Sequence, residues 1–102
     1  MHENDVKNAI IDYVNKNFNK INFHNLKPNV IENISDVSIT FQESYYGAGA
    51  YQALLSFNIS IKDANGGVLT SHEKGTSSVS IEENEDKTPN VFIDDIFITS
   101  NF

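Results

Sequence analysis

The chain has 102 residues, of which 39% are apolar, enough for one domain with one core and too few for two. Fourteen acidic residues against seven lysines and no arginine leave a net charge of −7, a balance that argues against direct nucleic-acid binding and favours a protein partner with a basic surface. Without cysteine there is no disulfide, no thiolate chemistry and no Cys-based zinc site.

The charge is uneven along the chain. Residues 1–35 hold four lysines and four acids, whereas residues 36–102 hold three lysines and ten acids, so the negative charge belongs to the second part. The start, Met1 to Lys7, has no basic head followed by an apolar run, and no stretch is apolar enough to span a membrane. A cytoplasmic protein is the expectation; if Met1-His2 is not the native start, an export signal removed ahead of it would escape this reading.

Val6, Ala9, Ile10, Tyr13, Val14 and Phe18 recur at steps of three and four, which predicts an amphipathic helix over about 4–18, capped by Asn4 or Asp5. Asparagines and Pro28 then read as a connection over 19–29, pinned to the core by Phe23 and Leu26. Val37, Ile39 and Phe41 alternate with polar residues in a strand over about 36–43. It can start as early as Val30, with an irregularity near Asn33 to Asp36.

The clearest pattern is the next one. Tyr51, Ala53, Leu55, Phe57, Ile59 and Ile61 alternate with polar residues over 51–62, and Asp63-Ala64-Asn65-Gly66-Gly67 follows as a turn. A return strand over about 68–82 has few apolar residues and a glycine, Gly75, where a bend or bulge is expected. The polar tip Glu82 to Asn90 leads to a last strand over about 91–99, whose alternation breaks at Asp94-Asp95 in a way that resets the buried face. The prediction is a single α+β domain over 1–102, with an amino-terminal helix packed on one face of a four-stranded antiparallel meander. Its order is analogous to cystatin-like and NTF2-like sheets, an analogy of topology that carries no function.

The run from Tyr51 through Leu55, Phe57 and Ile59 to Glu73, Gly75, Val79 and Ile81 resembles the central hairpin of the SecB export chaperones, and Val30 to Phe41 is similar to the strand before it. The resemblance covers about half the chain. It implies a sheet that holds client chains, but the amino-terminal helix is additional and the sequence ends where such chaperones have a long carboxy-terminal helix.

No motif for a metal, nucleotide or other cofactor is present. His2, His24 and His72 are far apart, without the i, i+4 spacing of a helical metal site, and His72 beside Glu73 reads as a solvated pair. Asn84, Asp86 and Thr88 alternate as calcium ligands do, but no glycine and no closing acid are in register. No G-x-S-x-G elbow accompanies the many serines, and adjacent carboxylates on a strand face opposite ways, so catalytic residues are not assigned.

Two surfaces remain for a partner. One is the acidic set Glu82, Glu83, Glu85, Asp86, Asp94 and Asp95, whose row of carboxylates can steer a basic surface as phosphates do. The other is the loop with Tyr45, Tyr46 and Tyr51 around Gly47 and Gly49, since tyrosines dominate interface hot spots. The expected function is a non-enzymatic small acidic inhibitor or neutraliser, of the immunity-protein or phage-inhibitor type, acting on a basic protein such as one that works on nucleic acid. A bacterial or phage source fits a chain with 14 Asn, 12 Ile and no Arg. A SecB-like or small-ligand-binding sheet is the alternative, and a small hydrolase using His24 or His72 is the next. The polar sheet face and the last strand also allow a homodimer.

Overall fold

A computed structural model describes residues 2–26, 30–42 and 49–99. Helix α1 spans Glu3–Asn17 and a short 3₁₀ turn follows over Phe18–Lys20. Six strands come after it: β1 (Asn22–His24), β2 (Val30–Phe41), β3 (Gly49–Lys62), β4 (Val68–Glu83), β5 (Pro89–Phe92) and β6 (Asp95–Ile98). The fold is α+β as predicted, but the sheet has six strands and not four, in the order β1-β6-β4-β3-β2 with β5 also on β4. The two unpredicted divisions have simple causes. β1 is three residues inside the expected connection, too short to show alternation, and pairs parallel with β6. The expected last strand is two strands on the same side of β4, β5 along Ser80–Glu83 and β6 along Gly75–Thr76.

The helix lies over one face of the sheet, here the inner face. Val6, Ile10 and Val14 are fully buried there and share one core with Ala53, Leu55, Phe57 and Ile59 of β3 and Val79 and Ile81 of β4, the helix lying nearest β2 and β5. Period 3.6 in the helix and period 2 in the strands thus meet in one core. Glu3 and Asp5 lie in its first turn and Lys16 in its last, but the residue before it is His2, which makes no side-chain cap, so neither Asn4 nor Asp5 caps it. Phe23 and Leu26 pack on the core as expected, Phe23 edge-on to Phe57 at 6.1 Å between ring centres.

Strand β2 carries the expected irregularity twice. Its register against β3 shifts between Ile31 and Asn33 and again between Ser35 and Ser38. Each bulge inserts a residue, so that Ile31, Ile34 and Ile39 all oppose inner-face residues of β3 although their spacings of three and five do not fit strict alternation. Asp36, in the second bulge, adopts φ 53°, a conformation Asp tolerates better than most residues.

The register of β3 with β4 runs without a shift from Gly49↔Ile81 to Lys62↔Val68, so Gly75 is not a bulge. It is needed for a close approach instead. A Cβ at Gly75 would lie 2.7 Å from Cγ2 of Ile96 and 3.1 Å from the carbonyl oxygen of Phe97, so its absence lets β6 settle against β4. The next inner-face residue, Ser77, is also small, and its buried hydroxyl donates to the Asp95 carbonyl at 2.8 Å. The break at Ile93-Asp94 is held in the same manner: the amide of Asn22 donates to the Asp94 carbonyl at 2.9 Å. Val91 and Ile93 are buried before the break and Ile96 and Ile98 after it, so the buried face is reset there as predicted.

At the β3–β4 turn, Asp63 organises the chain. Its Oδ1 accepts from the amides of Asn65 (2.9 Å) and Gly67 (2.8 Å), and Gly66 supplies the positive φ of 83°. No described helix is long and apolar enough to cross a membrane.

Candidate functional site

Because Gly49 pairs with Ile81 and Glu83 with Pro89, the start of β3 and the acidic turn after β4 lie at the same end of the sheet. The sequence left open whether the two candidate surfaces meet; the continuous β3–β4 register brings their flanks together. Tyr45 and Tyr46 lie outside the described residues. Tyr51 does not stand out as a free anchor, since it is half-buried on the inner face with its ring edge-on to Phe41 at 6.3 Å.

The acidic turn is built by its own polar groups. The amide of Asn84 donates to the Thr88 carbonyl (2.8 Å), the Asn84 side chain donates to Thr88 Oγ1 (3.0 Å), and the Thr88 amide donates to Asp86 Oδ1 (3.1 Å). The Thr88 hydroxyl also donates to Asp86, and these two bonds hold the Asp86 carboxyl below the usual carboxylate range. Lys87 takes the left-handed conformation at φ 71° and its ammonium lies 3.5 Å from Glu83. Asn84, Asp86 and Thr88 therefore bind one another, and no group of three or more metal-ligating His, Cys, Asp or Glu side chains occurs among the described residues. Glu82 and Glu85 are exposed and face solvent beside this ordered turn.

Two shallow clefts flank the same end. One, of about 430 Å³, is lined by Gln42, Ala50, Tyr51 and Gln52. The other, of about 200 Å³, lies between the second half of α1 and β5, with Tyr13, Lys16, Asn17 and Asn90 among its walls. Their walls mix polar and apolar residues in shallow form, which suits a protein surface better than a buried apolar ligand.

Asp94 and Asp95 do not belong to this end. The carbonyl of Asp95 sits on Ser77, six residues back along β4 from Glu83, which is about 20 Å along an extended strand. Asp94 is exposed, while the Asp95 carboxylate meets His24 Nε2 at 2.7 Å. The His24 ring lies flat on Phe97, 4.3 Å between centres and 11° between planes. Parallel pairing of β1 with β6 places all three on the outer face, the side of the sheet away from the helix, and no sequence pattern linked His24 to Asp95 across 71 positions.

His72 and Glu73 are not a solvated pair. Neighbours on a strand point to opposite faces, so Glu73 turns into the core, 3% exposed and opposite Phe57, while His72 turns outward. There His72 Nδ1 is 2.9 Å from Asn58 Oδ1, and Asn58 Nδ2 donates to Asp36 Oδ2 at 2.8 Å. A carboxylate only accepts, so the amide presents its oxygen to the imidazole, Nδ1 carries the proton and Nε2 is left as an acceptor in the neutral ring. The side-chain hydrogen-bond partners of His24 and His72 are thus Asp95 and Asn58.

No protein-family model, no curated protein and no solved structure matches this chain.

Proposed function

We propose that this protein is a non-enzymatic binding module that engages a basic protein partner with its acidic end, and inhibits or neutralises it. The observation that supports this most is the register that sets the ordered acidic turn beside the start of β3. Glu82 and Glu85 are exposed there, and the hydroxyl and amide of Thr88 fix the direction of the Asp86 carboxylate. Carboxylates held by a structured turn lose less freedom on binding than those of a loose loop, and at this end they act together with two clefts.

The experiment is capture from the source cell with the wild-type chain and Glu83→Lys/Glu85→Lys in parallel, two exposed acids of the turn that stand clear of the outer face. The wild type should retain a basic protein that is released by salt and lost on charge reversal. Equal retention by both chains would remove the acidic end from the reading. A sheet that holds client chains, as the SecB resemblance implies, draws on exposed Leu54, Phe92 and Phe97; it predicts binding to many unfolded proteins with little dependence on salt.

A further inference from the structure

No element among the described residues covers the outer face of the sheet, and that face is unlike a solvated one in three respects. Several of its polar side chains are satisfied sideways, from strand to strand. Ser38 and Ser56 meet at 2.6 Å, Ser60 and Thr70 at 2.8 Å, and the Asp36–Asn58–His72 chain spans β2, β3 and β4. Groups bonded in this way cost less to remove from water than groups that rely on it.

The second respect is the position of the apolar residues. Register places His24, Phe97, Thr76, Leu54 and Thr40 in one row across β1, β6, β4, β3 and β2. The row crosses β3 near its middle, and its Phe97 and Leu54 are 46% and 38% exposed. Phe92, Val68 and Val30 add exposed apolar surface on the same face further from the row, more than a solvated face needs. The third is charge: on this face Lys62 and Lys74 lie on one side of the row, together with Asp36 bonded to Asn58, and Glu82 and Asp95 lie on the other.

We infer that a second copy of this chain covers the outer face, sheet on sheet, with the strands of the two copies antiparallel about a two-fold axis along the Leu54–Thr76–Phe97 row. The two Leu54 and the two Phe97 side chains then meet across the axis, as an isologous contact requires. Glu82 of each copy lies over the Ser60–Thr70 row of the other, next to Lys62, and the acidic turns stay at opposite poles. The area suffices: the chain measures 47 by 24 Å in its two longer dimensions, a footprint of roughly 1,100 Å² against about 800 Å² per partner in a standard interface. Association by strand edges has less to offer. β1 covers β6, contrary to the expectation of a free last strand, and two bulges break β2.

Sedimentation equilibrium of the full chain should give twice the 11.4 kDa mass. Leu54→Asp should weaken the dimer roughly 30-fold or more with an unchanged far-UV spectrum, whereas Leu69→Asp, on the inner face, should leave it as it is. Because the chain has no cysteine, single cysteines report the geometry without background, and stacked sheets about 10 Å apart suit a short bis-maleimide. Thr76→Cys should cross-link to itself. Ser60→Cys should not, but should join Glu82→Cys in a mixed sample. A monomer at all concentrations, equal effects of Leu54→Asp and Leu69→Asp, or self-linking of Ser60→Cys in place of Thr76→Cys would each overturn the inference. So would a monomer that binds an unfolded probe protein through Leu54.

Discussion

Replacing Gly75 with alanine adds a methyl group where β6 leans on β4. The backbone of Gly75 is not in the left-handed region, so alanine fits its conformation and only space is contested. The new Cβ would be 2.7 Å from Ile96 Cγ2, a branch fixed on a fully buried side chain, and 3.1 Å from the Phe97 carbonyl oxygen. Loss of glycine's chain entropy returns about 0.5–1 kcal/mol, whereas overpacking a tight core costs about 1–3 kcal/mol. A 2.7 Å contact on a fixed branch puts the cost in the upper half of that range, so the net expectation is a loss of about 1–2.5 kcal/mol, or a fall in Tm of roughly 4–20 °C for a domain of this size. Urea unfolding and calorimetry measure it. A double-mutant cycle with Ile96→Ala separates the cause, because Gly75→Ala should cost less once Ile96 is trimmed. A Gly75→Ala chain as stable as the wild type, or an additive cycle, would refute the close-approach argument.

Ser77→Ala should destabilise by about 1–3 kcal/mol in the same urea assay, since it leaves the Asp95 carbonyl without its buried donor, and amide exchange should quicken first in β6. For Asp86 the sign is that of a depressed carboxyl: its stabilisation is present above the ordinary Asp value of 3.8 and fades as pH falls through the lower folded-state value. Asp86→Ala should therefore be less stable than the wild type near neutral pH, and the two unfolding curves should converge in strong acid. A difference independent of pH would point to lost packing instead of the carboxylate's bonds to Thr88.

Much of the candidate site was legible before any coordinates. The acidic turn was visible as Glu82 to Asp86, and its place at an end of the long hairpin followed from alternation over 51–62 and the Asp63–Gly67 turn. That it shares this end with the start of β3 depended on an unbroken register over fourteen residue pairs. Glycine in a strand is read equally well as a bulge or as a close approach, and only the position of Ile96 decides between them. The same is true of Glu73. Beside His72 it has the look of a surface pair, but the phase of β4, set by its pairing with β3, sends it to the core.

Local order is what the amino-acid sequence determined by itself: the helix from its period of three and four, the long strands from their period of two, the turns from Asp, Asn and Gly, and the reset at Asp94-Asp95. These are properties of a chain and its nearest neighbours, written in consecutive side chains. Tertiary structure decided everything that joins distant segments. It placed three residues, Asn22 to His24, parallel to β6, set His24 on Asp95 and Phe97, aligned Leu54 with Thr76 and Phe97 across the outer face, and made room for Ile96 at Gly75. Such contacts depend on the sheet's register and on which side of a strand is covered, and one residue of slip would exchange every partner.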